Sequence, residues 1–459
     1  MGQKNKADIL AWNVALASTF VVCCLLSDYK IFSCISLIAF LSYMCLVLKR
    51  RPGIYIKYMY LVFTTGALFV SLIVIEFGEF YVSETQMQGC YVGSIPLLVL
   101  LQWIFYKTLL FVDARYEKKI GMKDYTIGIH TIFKNHHKQV LKRSLNYLTV
   151  LVVILFIYMF LTVMKNPSFI LGVDRGIYRM TFEFPFLYHK IYAWSKMLLI
   201  PCVLSIIYGR KALGFTGVLL YIVHAIWIGQ KFGDFLSLLT VFLIIYYTKI
   251  CLNDKVMKKL IPAALIAIVG LVLMSAFWFS FTSENSAITY FATRIAGQGA
   301  MWWRTYSVSK GIPHINQIIN EINGFMFGKL NTSENVGASY GIYNIMYLCT
   351  PKPKADHDIS ILNTRYTEAG YASAYYILGV PGAVLFGIFC AAFFAVTINH
   401  FLHYLKSNKL MEAILILRIY FLGTTMYSMF TFNQYRSLFT IASILFLLFM
   451  KNKRIVLKN

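Results

Sequence analysis

Three regions of this sequence set cations and carboxylates among glycines and aromatic residues. The first is Gly172-Val-Asp174-Arg175-Gly176-Ile-Tyr178-Arg179, and the second is Gly229-Gln-Lys231-Phe-Gly233-Asp234. The third opens with Tyr290-Phe-Ala-Thr-Arg294-Ile-Ala-Gly297-Gln298-Gly299 and Trp302-Trp303-Arg304. It closes with Asp356-His357-Asp358 and Arg365-Tyr366-Thr-Glu368-Ala-Gly370. Arginine's planar fork matches phosphate bidentately, whereas lysine acts as a compact point charge. Several of them converging would hold a diphosphate without a metal. Arg294 and Arg365 are the strongest candidates, because each borders a helix mouth lined with glycine and aromatic residues. Arg175, Arg179, Lys231 and Arg304 are candidates to stand behind them. Each also has an ordinary reading: head-group anchoring or surface pairing for the arginines, a simple turn for Lys231.

Proton transfer has two candidates. His357 lies between two carboxylates, which favour its charged form and suit it to acid–base work, although the triplet also reads as a solvated turn. Glu368 is either a general base or the cap of the helix that follows it. Trp302 and Trp303 read as an interface belt, or as aromatic faces on which sugar rings stack. The nine cysteines are scattered, with no CxxC and no Cys/His cluster at ligand spacing, so no metal, cofactor or disulfide framework is expected.

The elements that must position these residues follow from composition. Of 459 residues, 59% are hydrophobic and 14% charged, with mean hydropathy +0.65, which leaves too few polar side chains to cover a water-facing surface. Apolar segments recur at about helix-spanning length near 9–27, 31–48, 58–79, 91–112, 145–164, 191–209, 214–229, 235–250, 260–281, 371–399, 411–431 and 437–450. The alternation of a β-barrel is missing. An all-α integral membrane protein of about 12 transmembrane helices is expected. Gly379-Val-Pro381-Gly382 offers a break point in the long tenth segment.

The net charge of +24 does not point to nucleic acid, because the basic residues cluster in short stretches between apolar segments. Lys49, Arg50, Arg51 and Lys57, the stretch from Arg115 to Arg143, and the tail from Lys451 fall on one side. By the positive-inside rule both termini are then cytoplasmic. Lys107, Lys196 and Arg418 lie within apolar segments, near enough to helix ends to snorkel. The chain divides into 1–281 with nine membrane helices, a long extracytoplasmic loop at 282–369, and 370–459 with three more helices and a tail. Within the loop, Ile312, Ile315, Ile318, Ile319 and Ile322 form one apolar helical face, expected to pack against the protein.

In this arrangement, and in the Arg294…Gly297-Gln298-Gly299…Trp302-Trp303 and Arg365-Tyr-Thr-Glu368-Ala-Gly370…Tyr376-Ile-Leu-Gly379-Val-Pro-Gly382 stretches, the chain resembles the Wzy-type polymerases of O-antigen and capsular repeat units. The resemblance implies a metal- and nucleotide-independent glycosyltransferase in the bacterial inner membrane, acting on undecaprenyl-diphosphate-linked glycans. External arginines are the family's usual functional residues, which match Arg175, Arg294 and Arg365 here. A chain-length regulator and a flippase of the same pathway are the implied partners. A ligase-like glycosyltransferase and a lipid-linked oligosaccharide flippase or transporter remain open as alternatives.

Overall fold

The computed structural model describes residues 3–120, 137–166, 178, 182–229, 233–250, 253–280, 287–327, 340–361, 365–366, 368–407 and 409–456. Arg175, Arg179 and Lys231 lie outside them. The helices run α1 (Gln3–Leu25), α2 (Lys30–Arg50), α3 (Gly53–Lys57), α4 (Met59–Glu76), α5 (Ile95–Ile120), α6 (His137–Met164), α7 (Phe186–Tyr208), α8 (Lys211–Trp227) and α9 (Gly233–Ile250). They continue with α10 (Asp254–Ser280), α11 (Ala287–Ser309), α12 (Gln317–Phe327), α13 (Ile342–Cys349), α14 (Lys352–Asp356), α15 (Gly370–Lys406), α16 (Leu410–Met429) and α17 (Leu438–Val456). A two-stranded antiparallel hairpin pairs β1 (Tyr81–Val82) with β2 (Met87–Gln88). Each of the twelve apolar segments falls on a helix. Among the described residues, eight helices are long and apolar enough to cross a membrane, and three shorter apolar ones accompany them. The protein is an all-α multi-pass membrane protein.

The membrane-facing cations find partners inside the bundle. Lys107 donates to Asn13 and lies over the rings of Tyr43 and Trp103. Lys196 pairs with Asp234 at 3.3 Å. Arg418 sits 4.5 Å from the centre of the Trp194 ring and 5.0 Å from that of Phe439.

Two of the basic residues expected in a loop are held by carboxylates within the bundle. Lys57 is fully buried and donates to Asp113 and, at 3.1 Å, to Asn399. Tyr58 and Asn399 donate to the same Asp113 carboxylate at 2.7 and 2.8 Å. Arg51 reaches Asp113 at 3.3 Å and also Glu117. Because α5 runs on well past Val112, Asp113 and Glu117 become helical and face this cluster. The ions tie α3, α5 and α15 together, and losing one partner of such a buried pair costs roughly 3–5 kcal/mol.

The tenth segment does more than tilt. Gly379 has φ 67° and ψ −155°, a conformation open to glycine alone. A Cβ on Gly382 would lie 2.6 Å from the Ala374 carbonyl, and one on Gly387 2.7 Å from the Tyr371 hydroxyl. In a straight helix, residues eight apart are separated by about 12 Å. The arm 370–378 therefore folds back along the arm 380–406, and Tyr371 meets Phe386 with ring centroids 5.7 Å apart. The first arm starts flush with the end of α16, where the Ala369 amide donates to the Ser428 carbonyl at 2.8 Å.

Candidate functional site

Residues 287–361, read in sequence as part of one long loop, build a helical cap. Its floor is α11, laid against α4. Ser71 of α4 donates to the Ala296 carbonyl at 2.8 Å and accepts from the Gly299 amide at 2.6 Å. A Cβ on Gly299 would come within 2.7 Å of the Ser71 hydroxyl, and one on Gly297 would collide with the Glu84 carboxylate of the β-hairpin turn. The Gly297-Gln298-Gly299 motif is thus accounted for by close approach of backbone to neighbours.

Trp302 and Trp303 are buried, and each indole N–H donates to a backbone carbonyl: Ser94 at 3.2 Å and Cys90 at 2.9 Å. This corrects the reading of the pair as an interface belt or an exposed sugar platform. They anchor α11, and Trp302 also packs on Tyr375 of the fold-back arm. A buried tryptophan takes a partner for its N–H, and these two are satisfied from the loop and helix start after the hairpin.

Arg294, Gly297, Gln298, Met301, Arg304 and Thr305 recur at three- and four-residue spacing and share one face of α11. Arg294 is exposed. Arg304, about 15 Å further along the helix, is half-buried next to Cys349 of α13, and its Nε has no hydrogen-bond partner. Arg365 is exposed and lies 5.4 Å from the centre of the Tyr343 ring, also on α13. Arg304 and Arg365 therefore lie against one short helix, and Arg294 is not placed there. The three are not gathered at a single point.

His357 is exposed, with Nδ1 3.5 Å from Asp358. Asp358 is buried, paired with Lys354 at 3.1 Å, and accepts a hydrogen bond from Tyr366. Burial and then the neighbouring Asp358 push the Tyr366 phenol well above its ordinary value. The same hydroxyl lies 3.4 Å from the Glu84 carbonyl, so Tyr366 bolts the end of the cap to the hairpin turn. Asp356 accepts from Tyr347 at 2.8 Å, and burial followed by this contact pushes the Tyr347 phenol up to about 12.

Glu368 stands apart from this network. It occupies the turn before the fold-back arm with φ 59°, in the left-handed region where side chains are uncommon. The residue is half-buried, and the desolvation this brings pushes its carboxyl up to about 8. The hydroxyls of Tyr60 on α4 and Tyr427 on α16 are close enough to feel its charge. A carboxyl poised near neutral pH is suited to exchanging a proton with a substrate hydroxyl. Among the described residues, no ion pair joins Glu368 or Arg365 to an opposite charge, and no group of His, Cys, Asp and Glu could hold a metal ion.

Sequence reasoning missed Tyr366, Tyr343, Glu84 and Lys354. The four-residue spacing of Lys354 and Asp358 was a readable sign of their pairing. The contacts of the other three join distant parts of the chain and left no local signal.

A family described as a family of unknown function (DUF6418) matches residues 335–447. The match takes in α13, α14, the fold-back hairpin and α16, and with them His357, Arg365 and Glu368. No curated protein and no solved structure matches the chain.

Proposed function

We propose that this protein is a polymerase of lipid-linked oligosaccharide repeat units, working at the outer face of a bacterial cytoplasmic membrane with both termini inside. The distribution of basic residues supports that orientation, which places the cap of residues 287–361 outside. The twelve apolar segments of the sequence, each falling on a helix, support a count of twelve membrane segments.

The observation that carries the reading is Glu368, a carboxyl brought near neutral by burial, in the same short turn as Arg365. In the reaction, a hydroxyl of the acceptor repeat unit attacks the anomeric carbon of the donor glycan. The bond from that carbon to the diphosphate oxygen breaks, and undecaprenyl diphosphate leaves with the electron pair. The proton of the attacking hydroxyl passes to Glu368. Negative charge gathers on the departing diphosphate, and Arg365, with Arg304 against the same helix α13, supplies fixed positive charge for it. His357 serves less well as the base, because it is exposed and leans on Asp358. Trp302 and Trp303 hold the floor in place.

Deleting the gene in its host and sizing the surface glycan on a gel tests the assignment. A polymerase predicts loss of the ladder with a single repeat unit still displayed. Loss of even the single unit would replace this reading with a ligase or a flippase, and an unchanged ladder would overturn it.

A further inference from the structure

The helix α12 (Gln317–Phe327) is built inside out. Its polar side is the one turned to the protein: Gln317 is buried, Asn320 donates to it at 2.9 Å, and Glu321 accepts from the Gly341 amide at 2.7 Å. Gly324 is pressed against the Tyr340 ring. The opposite side carries Ile319, Ile322 and Met326, which are 63%, 56% and 55% exposed, with the exposed Asn323 among them and Phe325 and Phe327 at the flanks. The chain leading into the helix adds Ile312 and Ile315, at 64% and 62%. The isoleucine stripe expected to pack inward is therefore turned out, with only Ile318 half-buried.

We propose that this apolar face of α12 is seated in the lipid of the membrane interface, as a helix lying in the bilayer surface. In water, so many large apolar side chains on one short segment would form an unstable patch, whereas lipid would solvate them. The helix is about 16 Å long, too short to cross a hydrocarbon core of about 30 Å, so it lies along the surface.

Continuity with the lipid-facing wall of the bundle identifies lipid as the occupant. Arg436 donates to the Met326 carbonyl, which joins the end of α12 to the start of α17, where Leu438, Phe439 and Ile441 are exposed. At the other end, the Gly311 carbonyl that precedes Ile312 meets the tip of the fold-back hairpin at Gly379, between exposed Leu378 and Val380. One apolar band thus runs from the hairpin tip through α12 to α17. Interfacial helices commonly turn a basic polar face to water and head groups. Here protein takes that place, so α12 ties the membrane surface to the cap. Glu321 holds the start of α13, the helix that carries Tyr343 beneath Arg365.

The test uses the full chain in nanodiscs, with Ile319 replaced by a coumarin-bearing amino acid and a second protein carrying the same replacement at Ile322. The exposed Lys352 of the cap provides the reference position. Brominated phospholipid is expected to quench the fluorophore at 319 and at 322, with iodide in the buffer leaving it bright, and the reverse is expected at 352. Quenching by iodide at 319 and 322 would put the face in water and overturn the proposal. Quenching by neither would also overturn it, placing the face under protein such as a second copy of this chain. The measurement involves no glycan, so it stands or falls independently of the polymerase reading.

Discussion

Two groups of charged residues in this molecule are held in opposite ways. Around Asp113, two cations meet two carboxylates, with Tyr58 and Asn399 filling the remaining acceptor positions. Around Glu368, burial with no paired cation among the described residues pushes the carboxyl toward neutrality, and Arg365 three residues away lies over an aromatic ring. A charge cluster that satisfies itself holds helices together and has nothing left to offer a ligand. Charges kept from pairing with one another carry a standing cost that a ligand can offset, which is why perturbed groups mark functional sites. On this contrast the Asp113 cluster is architecture, and the Arg365–Glu368 turn is where the proposed chemistry would fall.

The comparison can be broken from either side. The largest effect is expected from Lys57→Met, which removes the buried cation from Asp113 and leaves it only the half-buried Arg51, and should destabilise the fold by about 3–5 kcal/mol. Thermal unfolding in detergent reads this. Lys57→Met combined with Asp113→Leu should recover part of the loss, since no charge is then left unpaired. Equal losses in the single and double variants would remove the distinction drawn here.

Arg365→Ala should lower polymerisation about a hundredfold or more at unchanged protein level, measured on lipid-linked repeat units in membranes. Normal chain length in that variant would take Arg365 out of the site.

Glu368 must be ionised to accept a proton, so with its carboxyl near 8 the rate should climb with pH through that value and level off above it. Glu368→Gln should lower the rate and flatten this limb. A limb that survives the substitution would assign the proton to another group.

A smaller effect, about 1–2 kcal/mol, is expected from Gly379→Ala, which forces a side chain into a positive-φ position at the hairpin tip. His357→Asn should change stability least, by under about 0.5 kcal/mol, because His357 is itself exposed and its contact with Asp358 is long. A large loss of activity there would reopen His357 as the base.

Much of the scaffold was legible before folding. Apolar runs of helix-spanning length found twelve helices because, in lipid, each segment must satisfy its own backbone hydrogen bonds. Gly379 was readable as a break, since glycine and proline stand together there. The site was legible only as residue types. Arg365 and Glu368 were singled out by their neighbours in sequence, but the burial that sets Glu368 comes from packing around the turn that joins the cap to the fold-back arm. The tryptophan pair misled, because an aromatic pair near a membrane surface has the same composition whether it faces lipid, sugar or protein.

The sequence by itself determined that this is a helical membrane protein and where its apolar segments lie, because hydropathy is a local property. Tertiary structure decided that the tenth segment doubles back, that Lys57 is an internal ion-pair partner, that Trp302 and Trp303 are structural, and that the isoleucine face of α12 points outward. Each of these depends on which surfaces meet across tens or hundreds of residues. Periodicity reports that a face exists, and only the packed neighbours decide what it faces.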